Sequence, residues 1–181
     1  MTDVADIQAP APVRLHVGQG EHRISADPDV VLTTILGSCV AACVRDPQAG
    51  VGGMNHFLLP FGQDGGQEDC RRYGAYAMEV LINGVLQAGG RRERLQAKLF
   101  GGGRMFDSLQ DVGRMNADFA ERFLRDEGIA LVGGSLRGFG ARRVKFWPAT
   151  GRALQRTVAD QAPPPPLSPP APPAGGAVEF F

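Results

Sequence analysis

Residues 30–59 read VVLTTILGSCVAACVRDPQAGVGGMNHFLL, and the fold turns on how they are parsed. Val30–Leu36 and Val40–Arg45 are runs of β-branched or small apolar residues, the composition of buried strands. Asp46–Ala49 (DPQA) is turn chemistry, because proline fixes φ and aspartate bonds back to its own backbone. Val51–Leu59 follows as another extended run. The stretch therefore predicts a strand followed by a hairpin.

Upstream, Val13, Leu15 and Val17 alternate with polar residues, as in a strand with one buried face. Downstream, Tyr73, Ala77, Val80, Leu81, Val85 and Ala88 fall at helical spacing and stop at Gly89 and Gly90, which predicts a helix over 71–88. Leu109, Val112, Met115, Phe119, Phe123 and Leu124 mark a second helix with Gly128 past its last turn. Leu95, Ala97 and Leu99 alternate in a strand running into Gly101–Gly103. Ile129–Val132, Arg143–Trp147 and Arg152–Val158 read as further strands between glycine-rich turns. Many short strands with two helices predict an α+β fold, a layered α/β sandwich of mixed, largely antiparallel short strands with two main helices.

The chain has 181 residues and formal net charge +0, enough for one core and without the basic field that holds nucleic acid or an anionic membrane. No apolar run reaches the roughly 20 residues that span a bilayer, and the opening MTDVADIQAPAP has neither the basic nor the apolar region of a secretory signal. A cytoplasmic protein is expected. Three cysteines are too few and odd in number for a disulfide framework. Residues 1–12 are expected to be flexible, 13–160 to form the folded domain, and 161–181, QAPPPPLSPPAPPAGGAVEFF, to be a proline-rich disordered tail.

The chemistry concentrates in the opening stretch. If Arg45 pairs with Gly50 around Asp46–Ala49, Cys39 falls directly opposite His56, with Cβ atoms about 4.5–5.5 Å apart. A thiol beside an imidazole can pass it a proton and become a nucleophile for carbonyl carbon. A helix starting after Ser38 would break that pairing, although a helix N-terminus also acidifies a thiol. Thr33 or Thr34 could fix the imidazole tautomer, and Gly37, taking positive φ, could bring backbone N–H groups toward an oxyanion.

The run TTILGSCVAACVRDPQAGVGGMNHFLLP resembles the chemoreceptor glutamine deamidase family, CheD, whose motif has a threonine, then Gly-Ser-Cys, then Gly-Met-x-His-x-x-x-Pro. RRYGAYAMEVLINGVLQAGG, LQAKLFGGGRMF, VGRMNADF and RRVKFWPATGRAL resemble further blocks of the family, so the likeness spans about residues 15–158. It departs at Gly103, where the family carries alanine, and at Leu131-Val132, where an acidic residue is expected. The resemblance implies a cysteine amidohydrolase that converts specific glutamines of methyl-accepting chemotaxis receptors to glutamate. Cys39 is then the nucleophile, His56 its acid and base, and Thr33 the residue that orients His56. It also implies a CheC-type phosphatase as a partner, and no cofactor. A competing reading makes the domain a non-catalytic binding regulator of that phosphatase; a thiol protease or transglutaminase lacks any sequence signal of its own.

Other candidates have plainer readings. Cys43 is expected to pack. Cys39, Cys43 and His56 lack the paired cysteines and fourth ligand of a zinc site. Cys70 is expected beside the polar loop Gly62–Asp69 as an oxidisable bystander, and His16 and His22 in surface or structural roles. Gly101–Arg104 reads as a tight turn near the site, not a phosphate cradle. Arg137, Arg142, Arg143 and Arg152 could face an acidic receptor helix, and the terminal Phe180 and Phe181 could dock to a partner.

Overall fold

In the computed structural model, which describes residues 11–60, 67–105 and 111–158, these patterns become two sheets and two long helices. The elements are β1 (Val13–His16), β2 (His22–Ser25), β3 (Val30–Leu36), β4 (Val40–Asp46), β5 (Val51–Asn55), α1 (Gln67–Gln87), a 3-10 turn (Arg92–Arg94), β6 (Gln96–Gly101), α2 (Val112–Asp126), β7 (Ala130–Leu136), β8 (Arg142–Phe146) and β9 (Ala153–Thr157). One sheet has the order β1-β3-β8-β9 and the other β2-β5-β4-β6-β7. The β1–β3 and β6–β7 pairs are parallel and the others antiparallel. The α+β sandwich read from the sequence is the architecture found. His22 opens β2, a strand the sequence patterns do not predict, which pairs along β5.

Strand β4 shows why the middle layer is so apolar. Val40, Ala42 and Val44 join Met78, Leu81, Ile82 and Val85 of α1 and Ala120 and Leu124 of α2 in one core. Ala41 and Cys43, pointing the other way, meet Leu32, Leu36, Val144 and Phe146 of the other sheet in a second core. A strand covered on both faces loses the polar alternation of a half-exposed one. Each fully buried Leu, Val or Phe here contributes about 1.5–3 kcal/mol relative to exposure.

The helices settle deeper than their largest side chains suggest. On α2 the buried stripe is Gly113, Asn116, Ala117, Ala120 and Leu124, while Met115 is partly exposed and Phe119 and Phe123 flank the core. Small residues let the helix approach the sheet closely. Asp111 caps α2 by accepting the Arg114 N–H at 2.9 Å, satisfying one of the orphan donors of the first turn. Cys70 lies in α1 rather than in the polar loop, 5% exposed, with its thiol 3.4 Å from the Pro60 carbonyl. The expected flexible N-terminus apart from residues 11 and 12, Gly62–Gly66 of the polar loop, Leu109 and the proline-rich tail lie outside the described residues.

The hairpin register differs from the expected one. Asp46, not Arg45, closes the turn and pairs with Val51; Gly50 takes φ 65° and its N–H reaches the Asp46 carbonyl at 3.1 Å. The cause is the Asp46 side chain, which is fully buried. Its carboxylate accepts the N–H groups of Gln48 (2.8 Å) and Ala49 (3.1 Å), the Arg91 N–H (2.9 Å) and two guanidinium donors of Arg94 (2.8 and 2.6 Å). Those donors hold the carboxyl well below the usual carboxylate range despite burial, which opposes them. Because the folded-state pKa is depressed, this stabilisation is present above the unfolded value of about 3.9 and is lost as pH falls below it. Asp46→Asn should cost about 3 kcal/mol at pH 7 in urea unfolding and about 1 kcal/mol less at pH 3, where the unfolded carboxyl is largely protonated and the native one still ionised; an equal difference at both pH values would overturn the assignment.

Candidate active site

Cys39 immediately precedes β4, and no helix begins there. With Asp46 opposite Val51, the same register carried to the site makes Val40 and Phe57 partners, bonded through both N–H groups at 3.0 and 2.9 Å. Cys39 and His56 are therefore diagonal neighbours on one face, not directly opposite. Such neighbours lie about 7–8 Å apart at Cα, within reach of side chains.

The loop carrying Cys39 is held by its carbonyls. Gly103 N–H donates to Gly37 O (2.8 Å) and Gly102 N–H to Cys39 O (2.8 Å), while Asn116 Nδ2 of α2 donates to Ser38 O at 3.0 Å. Positive φ occurs at Gly101 (104°) and Gly102 (63°), not at the expected Gly37. A Cβ on Gly101 would lie 2.1 Å from the Cys39 carbonyl oxygen, so only glycine lets this turn approach. Asn116 is fully buried, and its Oδ1 also accepts the Leu59 N–H at 2.9 Å. One side chain thus ties the loop before Cys39 to the chain after His56. Its polarity within an otherwise apolar helix stripe was the available sequence signal.

His56 is 7% exposed and its tautomer follows from its neighbours. Thr34 Oγ1 donates to the Val17 carbonyl at 2.8 Å and stands 2.9 Å from His56 Nδ1; the same carbonyl is 3.3 Å from Nδ1. A carbonyl only accepts and the hydroxyl proton is already committed, so Nδ1 carries the hydrogen. Nε2 then holds the lone pair, buried and with no hydrogen-bond partner among the described residues. Thr33, expected to orient the ring, does not touch it: its hydroxyl is 3.5 Å from the Leu15 carbonyl. Alternation along β3 explains this, since Leu32, Thr34 and Leu36 are buried while Thr33 and Ile35 are not. The apolar residues at 32 and 36 were a signal in the sequence for Thr34 as the inward threonine.

Burial sets the charge state. It pushes the Cys39 thiol above its ordinary value, with the residue's own backbone N–H opposing. It pushes the His56 imidazole below its ordinary value, only partly offset by the Val17 carbonyl. The two groups sit neutral at pH 7 and are not hydrogen-bonded to one another; Cys39 Sγ donates instead to Gln19 Oε1 at 3.6 Å. The pair is therefore not a preformed thiolate–imidazolium ion pair.

The other candidates separate from this site. Cys43 is buried in the core between the sheets, and burial raises its thiol pKa strongly. Among the described residues no three or more His, Cys, Asp or Glu side chains gather as a metal site. Arg142 is buried and donates to the carbonyls of Ser135 and Arg137. Arg137 pairs with Asp118 and Glu121, and Arg152 lies over Trp147. Of the four arginines weighed for an acidic partner, three are thus engaged within the chain.

Comparison with known proteins identifies the family. The family described as "CheD chemotactic sensory transduction" matches residues 58–157. A Caulobacter vibrioides protein named "Probable chemoreceptor glutamine deamidase CheD" is 62% identical over 93% of this chain and 94% of its own. Proteins of the same name from Acidiphilium cryptum and Agrobacterium fabrum are 56% and 50% identical, over 100% and 94% of this chain and 100% and 98% of theirs. With the likeness running nearly end to end, the chain belongs to the CheD family.

Proposed function

We propose that this protein deamidates specific glutamines on the cytoplasmic helical region of methyl-accepting chemotaxis receptors, with Cys39 as nucleophile and His56 as proton carrier. The observation that carries the mechanism is the unpartnered Nε2 of His56, on the same face of the β4–β5 ladder as Cys39. Rotation about the Cys39 Cα–Cβ bond brings Sγ toward Nε2. The S–H proton passes to Nε2 as the sulfur attacks the amide carbon. The imidazolium then protonates departing ammonia, leaving a thioester. His56 next takes a proton from water, whose oxygen displaces Sγ and leaves glutamate with the thiol restored. Thr34, not Thr33, acts as the positioning residue, because it is the hydroxyl at Nδ1.

The substrate would approach across exposed apolar groups, Met105 at 40% and Phe139 at 80% exposure. Their segments join at Arg104 and Phe139, beside the Gly101–Gly103 turn that holds Cys39. No helix of the described residues is long and apolar enough to cross a membrane. A CheC-type phosphatase covering the same face would compete with receptor for Cys39.

The direct test is peptide mass spectrometry of a receptor cytoplasmic fragment. Wild-type protein should add about one dalton per converted glutamine, the amide-to-acid difference, and Cys39→Ala should add none. No mass change with wild type, receptor binding being intact, would leave the binding-regulator reading in place. Thr34→Val should lower kcat about tenfold, the value of one hydrogen bond, whereas Thr33→Val should leave it within twofold; the reverse order would restore Thr33. The neutral pair predicts that iodoacetamide alkylation of Cys39 rises with a midpoint above about pH 8.5, the ordinary cysteine value. It also places the acid limb of kcat/KM below about pH 6.5, the ordinary histidine value. An alkylation midpoint below pH 7 would show a preformed thiolate–imidazolium pair.

A further inference from the structure

We propose that Gln19 is a further catalytic residue, whose side-chain amide donates to the oxyanion formed when Cys39 attacks; the inference rests on Cys39 being the nucleophile. Gln19 is exposed and contributes nothing to the core, yet its carboxamide is the group bonded to Cys39 Sγ, at 3.6 Å. A substrate carbon bonded to Sγ carries its oxygen beside that sulfur, and therefore within reach of a donor at this distance.

The position of Gln19 is built, not incidental. It lies between β1 and β2 on a turn closed by Glu21 N–H to Gly18 O (3.0 Å) and by Gly18 N–H to the Glu21 carboxylate (3.0 Å). The turn is fixed to the backbone of the base: Gly20 N–H donates to His56 O at 2.7 Å and His56 N–H to Glu21 O at 3.1 Å. Val17, which begins it, supplies the carbonyl shared by Thr34 and His56 Nδ1. Gln19 and His56 thus form one rigid unit facing Cys39.

The chemistry asks for such a donor. On attack the sulfur lone pair forms the S–C bond and the carbonyl pair moves onto oxygen. The Cys39 backbone N–H lies at its own sulfur, where it opposes the effect of burial on the thiol, and supplies one donor. A carboxamide offers both an acceptor and two donors. Its oxygen faces the neutral S–H, and a half-turn about its terminal torsion presents N–H to the negative charge once it forms. Donors aimed at developing charge, side-chain amides included, are each worth about 10²–10³ in kcat.

The test uses full-length protein and the receptor fragment. Gln19→Ala, and Gln19→Glu, which keeps the shape but at neutral pH has no N–H, should both lower deamidation kcat about 10²–10³-fold with little change in KM. Iodoacetamide alkylation of Cys39 creates no oxyanion, so Gln19→Ala should leave that rate at or above wild type. A thermal midpoint equal to wild type accompanies the expected result, since the side chain is exposed. Turnover by Gln19→Ala within twofold of wild type, or above it as for a side chain that only covers the thiol, would overturn the proposal. So would parallel loss of alkylation and turnover, which would mean that Gln19 acts on the thiol itself. Cys39→Ala run alongside separates the two claims. Activity retained without Cys39 removes the nucleophile, whereas an inactive Cys39→Ala with a fully active Gln19→Ala removes this inference alone.

Discussion

Strand β4 has no solvent face, and the rest of the structure is arranged around that constraint. Its even-numbered residues Val40, Ala42 and Val44 are committed to the helices and its odd-numbered Ala41 and Cys43 to the opposing sheet. A one-residue slip would exchange the two sets and place each against packing shaped for the other. The register is therefore closed at both ends, by the Asp46 carboxylate at the hairpin and by the Val40–Phe57 bridge at the site. Cys39 lies one residue beyond that bridge and His56 one residue inside it, so their spacing is inherited from the packing of the strand.

Among the described residues, the polar groups at this end of the sheet form a connected set of hydrogen bonds. Thr34, Val17 and His56 Nδ1 satisfy one another. Asn116 and the Gly101–Gly103 turn satisfy the carbonyls of the Cys39 loop. Nε2 of His56 is buried there without a hydrogen-bond partner among the described residues. A buried polar atom without a partner is costly, and the proton-carrier role proposed for His56 gives that cost a reason. The same burial raises the thiol and lowers the imidazole from their ordinary values, which favours the neutral form of both.

Glycine and asparagine accomplish here what larger residues could not. Gly101 allows a backbone N–H to reach the Cys39 carbonyl, and Asn116 bridges two chain segments far apart in sequence from a helix that otherwise packs with small apolar side chains. The turn at Gly18–Glu21 adds a third clamp, on the backbone of His56. The reactive groups thus sit on loops, but on loops whose freedom has been removed by hydrogen bonds to rigid elements.

The sequence by itself determined the layered α+β class, the two helices, every strand but β2 and the placing of Cys39 and His56 on one face, because periodicity and the glycine and proline punctuation are local signals. It also carried the family, through motifs spread along the chain. What it did not determine were distances that depend on side chains folding back. The buried carboxylate of Asp46 moved the hairpin closure by one residue on each strand, turning a directly opposed pair into a diagonal one. The inward parity of β3, set by packing Leu32 and Leu36 against the neighbouring sheet, brought Thr34 and not Thr33 to the imidazole. The charge state of the pair was likewise decided by tertiary structure, since desolvation depends on what covers a group and not on which residues neighbour it in the chain.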